Sequence, residues 1–387
     1  MKALTGLALG VAAVWSVSTF HQADAAPQDE ARAEAPSAVD LPATGAAVPL
    51  MEADTHPVVE VTIHGEKFRF LVETGAWFNS ISADAAERLQ LPERKGEATI
   101  DTLATGPAVF HGLKARVLDH QPGDVDGQLG LPAFADLLAT VDFPHHELRL
   151  AKGDLPQVNG KDVLPLQSIG PLWGVPMTVG DKSFVALIDT QSGDGLAIAP
   201  PLARTISFAG KPVETGRVQG PAIGDAAVQT ARLSGSVKIG GYRFDKPMVS
   251  SFPVELRFQN LGVWLGPSML KNFTVTLDQK NRRVRFVHVE GKTEIDAPPP
   301  MGDFGFRVSR APDGQVRVND VAPGGDAERA GVSRGDTLVA LDDKPADGYY
   351  SESTWRDLTG RTSPVRFRVS HRGVERDVEV KPTIWIQ

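Results

Sequence analysis

The stretch that decides the fold is Gly130–Leu150, GLPAFADLLATVDFPHHELRL, because it lines up without a gap on Gly266–Phe286, GPSMLKNFTVTLDQKNRRVRF. Each copy has a glycine, a short apolar turn, and alternating apolar residues as far as an aspartate. A polar turn and a second alternating run then follow. Alternation with a period of two on both sides of a polar turn is typical of a β-hairpin. The sequence therefore contains the same β-unit twice.

Upstream of each copy, a second pair of matched segments ends in a carboxylate and a threonine. The first reads FRFLVETGA from Phe68, and the second reads FVALIDTQS from Phe184. In both, an apolar strand runs directly into the carboxylate, which is Glu73 in the first segment and Asp189 in the second. Two half-sites that each offer one carboxylate imply one shared site.

These residues resemble the fold unit of retropepsin-type aspartic proteases. The resemblance rests on the run apolar-apolar-carboxylate-Thr-Gly-Ala, and on the apolar-Gly segments Leu129–Leu131 and Trp264–Gly266 further along. Because one polypeptide carries both copies, the chain resembles a retropepsin dimer fused into a two-lobed, pepsin-like monomer. The resemblance implies an all-β fold with two tandem retropepsin-like β-barrel lobes, over residues 50–157 and 158–292, that form one bilobal aspartic-protease unit.

A third unit follows a proline spacer at residues 293–300 and covers residues 301–387. It resembles a PDZ domain, since a glycine turn with apolar flanks, a small-residue helix and a Gly-Asp strand occur in that order. The resemblance implies that unpaired backbone N–H groups of the turn capture the C-terminal carboxylate of a peptide ligand, which adds as an extra strand. Residues 351–358 are predicted to form the helix beside that groove. The turn consists of Asp303, Phe304, Gly305 and Phe306.

The composition limits the possible partners. The chain has 387 residues, 41% of them hydrophobic, which is enough for two or three domains with cores of their own. Its net charge is −8 and it has no basic arm, so a nucleic-acid partner is not expected. Cysteine is absent, which excludes disulfides. The expected partners are a polypeptide substrate and a C-terminal peptide, and no cofactor or metal is expected.

The N-terminus is typical of an exported protein. Residues 1–25 combine Lys2, an apolar run and the small-residue site Ala23-Asp24-Ala25, which predicts a signal peptide cleaved after Ala25. The apolar run is shorter than the roughly 20 residues that cross a bilayer, so no integral membrane segment is expected after cleavage. Residues 26–49 are Ala/Pro-rich and acidic, which predicts a disordered linker. A bacterial periplasmic or secreted protein fits these features.

The chemistry of an aspartic protease requires two carboxylates that share one proton. The ionised one takes a proton from a water molecule, while the protonated one hydrogen-bonds the scissile carbonyl. Like charges about 3 Å apart cannot both ionise, which keeps the shared proton in place. The resemblance assigns these roles to Glu73 and Asp189, and gives Thr74 and Thr190 the role of bracing the two loops. The supporting positions that complete the motifs are Gly75 and Gln191.

Both motifs depart from the family pattern. Glu73 stands where an aspartate is expected, and its extra methylene could carry the carboxyl out by up to about 1.5 Å. A misplacement of about 1 Å can cost on the order of 10²-fold in rate. Gln191 stands where a glycine would let the backbone approach the carboxylate and adopt a positive φ. Three hypotheses follow: an active endopeptidase, a catalytically inactive protease fold that binds peptides, or two turn-capping acids. The matched repeats argue against the third.

Other candidate residues have weaker signals. His145 and His146 are adjacent on a predicted turn, where neighbouring side chains diverge, so they do not predict a metal site. Trp77 and Phe78 could line a substrate pocket, but aromatic residues beside a buried strand more often belong to the core.

Two further pairs of matched features follow from the repeat. Asp142 and Asp278 precede hairpin turns and are interpreted as structural. The turn signals at Thr105–Pro107 and Gly220–Gly224 mark where a flap over the cleft would arise.

Overall fold

The structure is a computed structural model that describes residues 35–51, 56–119, 121, 125–192, 195–220, 224–253, 262–311, 314–349 and 352–386. Strands predominate over these ranges and the helices are short, as the all-β prediction requires. The predicted signal peptide lies outside the described residues. Within these ranges, no helix has the length and apolar character needed to cross a membrane.

The first lobe is a closed β-barrel. One eight-stranded sheet has the order β1-β8-β5-β9-β4-β3-β7-β6, and an additional pairing of β8 with β7 closes it. Helix α1 (Ala83–Arg88) begins after Ser82, whose hydroxyl accepts a hydrogen bond from the Ala85 N–H. A 3₁₀ helix covers Leu131–Phe134. The strands up to the end of this lobe are β1 (Ala38–Asp40), β2 (Ala46–Pro49), β3 (Val58–Ile63), β4 (Glu66–Val72), β5 (Ser80–Ser82), β6 (Glu93–Arg94), β7 (Glu97–Thr105), β8 (Ala108–Leu118), β9 (Gly127–Leu129), β10 (Leu138–Asp142) and β11 (Glu147–Ala151).

The second lobe repeats the strand order of the first. Its 11-stranded sheet contains the run β21-β16-β22-β15-β14-β19, which corresponds to the run from β8 to β7 in lobe 1. Its helices are α2 (Pro200–Ala203) and α3 (Pro267–Leu270). The strands are β12 (Val163–Pro165), β13 (Gln167–Ile169), β14 (Leu172–Val179), β15 (Lys182–Ile188), β16 (Leu196–Ile198), β17 (Val213–Gly220), β18 (Gly224–Arg232), β19 (Ser236–Ile239), β20 (Tyr242–Asp245), β21 (Met248–Ser251), β22 (Val263–Leu265), β23 (Phe273–Asp278), β24 (Arg283–His288) and β25 (Glu294–Ile295).

The two repeated hairpins join the lobes through one shared sheet. Its order is β12-β24-β23-β10-β11-β2, so a hairpin from each lobe contributes to it. Strands β10 and β23 pair antiparallel, with Thr140 opposite Thr276 and their hydroxyls 2.9 Å apart, at a sequence separation of 136. This separation is also the offset of the repeat, so the pseudo-twofold axis passes between these two residues. One hydrophobic core runs through both lobes.

The matched aspartates stabilise the turns of these hairpins. Asp142 Oδ1 accepts a hydrogen bond from the His145 N–H at 3.2 Å, and Asp278 Oδ1 accepts one from the Asn281 N–H at 3.1 Å. Both carboxylates are buried. By accepting hydrogen bonds from these N–H groups, the two carboxylates stabilise the hairpin turns, which is the structural role that the sequence suggested.

The segment preceding lobe 1 is more ordered than its composition suggested. A disordered linker was predicted over residues 26–49, but β1 pairs with β8 and β2 pairs with β11. The small side chains of Ala46 and Val48 alternate inward on β2 and are buried. Strand pairing and this narrow apolar face order the segment. The prediction of disorder had rested on the scarcity of large apolar residues, which this pairing does not need. Residues 26–34 lie outside the described ranges.

The turn predicted to form a flap in lobe 1 is anchored to the body of the protein. Thr105 is buried and donates a hydrogen bond to the Glu60 carbonyl at 2.9 Å. A Cβ on Gly106 would lie 3.2 Å from a methyl group of Val48, so the turn packs on β2. The expectation of a flap is therefore wrong for this hairpin. In lobe 2 the corresponding hairpin is β17–β18, and residues 221–223 at its tip lie outside the described residues.

The C-terminal domain has its own hydrophobic core, separate from that of the lobes. Its six-stranded sheet has β27 at one edge, and a two-stranded sheet joins β26 to the C-terminal strand β33. The ring of Trp355 packs edge-on against Phe304 and Phe306, which places helix α6 beside β27. The elements are β26 (Met301–Asp303), β27 (Phe306–Arg310), β28 (Val316–Val321), α4 (Asp326–Arg329), β29 (Thr337–Leu341), β30 (Lys344–Pro345), α5 (Ala346–Tyr349), α6 (Glu352–Thr359), β31 (Val365–His371), β32 (Val374–Val380) and β33 (Thr383–Ile386).

The proline spacer between the lobes and this domain is held by an arginine. Arg232, at the end of β18, donates hydrogen bonds to the carbonyls of Pro298 at 2.9 Å, Pro299 at 3.1 Å and Lys246 at 3.1 Å. The Arg232 side chain is mostly buried. The spacer is therefore fixed to lobe 2 at this point.

Candidate active site

The two carboxylates follow equivalent strands of the two lobes. Strand β4 leads into Glu73, whose N–H bonds the Leu129 carbonyl at 2.9 Å. Strand β15 leads into Asp189, whose N–H bonds the Leu265 carbonyl at 3.0 Å. Each carboxylate is thus tied to the strand that precedes the matched glycine of its own repeat, and the lobes bring both to one place.

The two threonines connect the loops across the lobe interface. Thr74 Oγ1 donates to the Ile188 carbonyl at 2.7 Å, and Thr190 Oγ1 donates to the Val72 carbonyl at 2.6 Å. The N–H of Thr74 bonds Thr190 Oγ1 at 3.0 Å, and the N–H of Thr190 bonds Thr74 Oγ1 at 3.2 Å. Both side chains are buried. These reciprocal bonds fix the separation of the two carboxylate-bearing loops.

The carboxyl groups of Glu73 and Asp189 share a hydrogen bond. Glu73 Oε1 accepts from the Gly75 N–H at 2.7 Å, and Asp189 Oδ1 accepts from the Gln191 N–H at 2.9 Å. The longer glutamate therefore reaches the same backbone donor that an aspartate reaches in lobe 2. The misplacement expected from its extra methylene is not observed at this oxygen.

Burial and mutual repulsion set the protonation of this pair. Burial raises the pKa of Glu73 well above its ordinary value, and the neighbouring Asp189 charge raises it further. Burial also raises the pKa of Asp189, but the N–H groups of Gln191 and Ser192 lower it, as does the hydrogen bond from Glu73. Glu73 is only 1% exposed, while Asp189 is partly exposed. Glu73 is therefore the proton holder of the pair and Asp189 the ionised member.

The residue at position 191 does not need the conformational freedom of glycine. The positive-φ residues of the described chain do not include Gln191. Its side chain is buried, and its backbone N–H still reaches Asp189. Position 191 therefore does not adopt the positive φ that the glycine of the family pattern would permit.

Sequence reasoning missed Ser192, which follows the lobe 2 motif. Its N–H donates to Asp189 Oδ1 at 3.0 Å. Ser192 Oγ and Glu73 Oε2 are buried and have no hydrogen-bond partner within the described residues. Both atoms can bond a water molecule or a substrate group at the carboxyl pair. A hydroxyl directly after the motif, where lobe 1 has Ala76, was the signal that could have identified it.

The aromatic residues near the site divide into two groups. Trp77 and Phe78 are buried, pack edge-on with ring centroids 5.5 Å apart, and belong to the main core. They were interpreted as core residues from the sequence, and their burial agrees with that. In lobe 2, Phe252 and Trp264 lie 6.2 Å apart beside Val228 of the β17–β18 hairpin, in a small apolar cluster of their own.

The turn of the C-terminal domain differs from its prediction in one respect. Gly305 has φ +74°, a conformation that favours glycine, and Phe304 and Phe306 point into the domain core. The Gly305 N–H is not an unpaired donor, because it bonds Asp303 Oδ1 at 2.8 Å. Burial raises the pKa of Asp303 to about 6, although the N–H of Gly305 and the charge of Arg307 oppose this. Arg307 Nε is buried without a hydrogen-bond partner in the described chain.

Comparison with known proteins gives a family match over part of the first lobe. Residues 59–133 match the aspartyl protease family model. This aspartyl protease segment runs from β3 to the 3₁₀ helix and includes Glu73, Thr74 and Gly75. It confirms the resemblance to aspartic proteases that the motifs suggested.

Two solved structures show partial similarity to the chain. An aspartic proteinase from Irpex lacteus is similar at 17% identity and TM-score 0.40, over 65% of this chain and 97% of that chain. The HtrA3 PDZ domain bound to a phage-derived ligand (FGRWV) is similar at 20% identity and TM-score 0.19, over 21% of this chain and 84% of that chain. A search of curated proteins gave no match.

Proposed function

We propose that this protein is an exported aspartic-type endopeptidase that hydrolyses peptide bonds with a water molecule activated between Glu73 and Asp189. The observation that carries the proposal is the hydrogen-bonded carboxyl pair, held between two loops that the Thr74–Thr190 bonds lock together. The aspartyl protease match over lobe 1 supports the same reaction class.

The protonation of the pair gives each carboxyl a role. Asp189 is the ionised, partly exposed member, so it takes the proton from the water molecule. Glu73 holds the shared proton and donates a hydrogen bond to the carbonyl oxygen of the scissile bond, which stabilises the developing negative charge. In collapse of the tetrahedral intermediate, the proton taken up by Asp189 passes to the leaving amine.

The test is cleavage of fluorescein-labelled casein, which offers unfolded polypeptide, by the full mature chain. Asp189→Asn and Glu73→Gln should each abolish cleavage, because either change leaves one carboxyl without the partner that shares its proton. Asp181→Asn is the matched control: Asp181 is exposed in the turn that precedes β15 and should leave the rate unchanged. Cleavage that survives Asp189→Asn would place the chemistry elsewhere.

A second candidate function is a catalytically inactive, peptide-binding protein on the same scaffold. The observation that favours it is the burial of Glu73, which is 1% exposed, whereas Asp189 is partly exposed. In that case the wild type should show no cleavage at any pH. Peptides should nevertheless bind in the cleft, as measured by calorimetry with the full chain.

The C-terminal domain is proposed to recruit polypeptides by their C-termini. Strand β27 lies at a sheet edge beside α6, which is the arrangement that accepts an added peptide strand. The chain's own C-terminal strand β33 pairs with β26 instead of occupying that edge. Calorimetry with the full chain should show binding of peptides with a free C-terminal carboxylate and much weaker binding of their amidated forms. Equal binding of both forms would exclude the carboxylate contact.

The proposed export rests on residues 1–25 alone. N-terminal sequencing of the protein from a periplasmic fraction should give a mature start at Ala26. A full-length chain recovered from the cytosol would contradict export.

A further inference from the structure

The two motifs are related residue by residue by the pseudo-twofold axis. Thr74 and Thr190 exchange hydrogen bonds across a separation of 116 residues, and each bonds the carbonyl two residues before the other. The same separation relates Glu73 to Asp189 and Gly75 to Gln191. A close contact made by a residue of one motif therefore predicts the same contact for the equivalent residue of the other motif.

Glycine at position 75 makes room for the carboxyl of the opposite lobe. A Cβ placed on Gly75 would lie 2.7 Å from Asp189 Cγ and 2.8 Å from both Asp189 Oδ1 and Glu73 Oε1. Real Cβ atoms essentially never approach other atoms this closely. A side chain at position 75 is thus incompatible with an aspartate at 189.

The residue equivalent to Gly75 in the second motif is Gln191, which does carry a Cβ. If the contact found for Gly75 is transferred by the pseudo-twofold relation, the Gln191 Cβ would meet the carboxyl carbon of an aspartate at position 73 as closely as a Cβ on Gly75 would meet Asp189 Cγ, at 2.7 Å. Position 73 holds a glutamate instead. Glu73 Oε1 accepts the Gly75 N–H at 2.7 Å, and the additional methylene gives its carboxyl a route to that donor that an aspartate does not have.

We infer that Glu73 and Gln191 form one coupled change, in which the Cβ of Gln191 excludes an aspartate at position 73 and holds the glutamate carboxyl in its bonded position. Gln191 is on this view a positioning residue of the carboxyl pair. The inference rests on the proposed function for its catalytic meaning, but the steric coupling itself does not. On this inference, Glu73 and Gln191 compensate for each other, and neither departure from the family pattern is by itself a loss of function.

A set of substitutions at the two positions tests the coupling. Glu73→Asp alone should lower the rate of casein cleavage by on the order of 10²-fold, because the aspartate cannot occupy its place beside Gln191. Adding Gln191→Gly should restore the rate, whereas adding Gln191→Ala should not, since alanine keeps the Cβ. Gly75→Ala is the symmetric comparison: it should abolish cleavage, and Gln191→Gly should not rescue it.

Thermal unfolding supplies a readout that does not depend on catalysis. The steric conflict that Glu73→Asp creates with the Cβ at position 191 should lower the unfolding midpoint by on the order of 5 °C in the wild-type and Gln191→Ala backgrounds, and much less in the Gln191→Gly background. If Glu73→Asp fails to fold, folding regained with Gln191→Gly and not with Gln191→Ala supports the coupling.

Equal effects of Glu73→Asp in the alanine and glycine backgrounds, in both rate and midpoint, would overturn the inference. A Glu73→Asp chain that stays unfolded in the glycine background would overturn it as well. If the wild type never cleaves casein but the unfolding midpoints of the variants follow the pattern given above, the proposed function is overturned and the steric coupling is established.

Discussion

Replacing Thr74 by valine keeps the shape of the side chain but removes a hydroxyl that bonds the opposite lobe in two ways. Thr74 Oγ1 donates to the Ile188 carbonyl at 2.7 Å and accepts from the Thr190 N–H at 3.2 Å. Both backbone groups lie in the buried lobe interface and would lose their cross-lobe partner. Each unsatisfied buried group costs about 1–3 kcal/mol, so Thr74→Val should lower the free energy of unfolding of the two-lobed unit by about 2–6 kcal/mol.

The assay is chemical denaturation followed by tryptophan fluorescence, combined with casein cleavage. The matched control is Thr99→Val, at an exposed position of β7, which should change stability by no more than about 0.5 kcal/mol. Thr190→Val should cost a similar amount to Thr74→Val. The double variant should cost less than the sum, because the two hydroxyls bond within one network. A Thr74→Val protein as stable as its control would refute the assignment of these bonds as the clamp between the loops.

Four further predictions concern pH and the spacer. Casein cleavage should fall as pH rises through the raised pKa of Glu73, because the pair then loses its proton. The pKa of Glu73 is higher in the folded state than in the unfolded state, so its contribution to stability is complete below the unfolded pKa, about 4.3, and is lost as pH rises through the folded pKa. Denaturation measured against pH should show this loss of stability, and Glu73→Gln should remove the pH dependence. Affinity for C-terminal peptides should increase as pH falls through about 6, since neutral Asp303 no longer repels the ligand carboxylate while Arg307 stays charged; calorimetry with Asp303→Asn should show no such step. Arg232→Met should make the spacer at Pro298 and Pro299 sensitive to limited proteolysis, and an uncut spacer would show that the three carbonyl bonds do not hold it.

The β-architecture follows from the sequence because it depends on local alternation and on the repeat. Strands β10 and β23 pair at Thr140 and Thr276, whose separation is that of the repeat. The carboxylates likewise fall at the ends of equivalent strands. The repeat thus determined both the strand pairing and the residues brought together.

Other features depend on contacts between distant segments. The ordering of Ala46 and Val48 needs an edge of β11 on which to pair, and the anchoring of Gly106 needs β2 beneath it. Neither is visible in a local window of sequence. The placement of Glu73 depends on how two loops face each other across an axis. Residue types alone therefore suggested a misplaced carboxyl, whereas Glu73 Oε1 accepts the Gly75 N–H at 2.7 Å.

The shared sheet has a consequence for how the site could diverge. A homodimer presents one gene product twice, so every substitution near its axis occurs in both halves at once. Here the pairing of β10 with β23 joins two halves encoded separately within one polypeptide. Each half is free to change alone, and the site is complete at any dilution because its second half is always attached. Glu73 with Gly75 on one side, and Asp189 with Gln191 on the other, is an asymmetric arrangement that a homodimer could not carry.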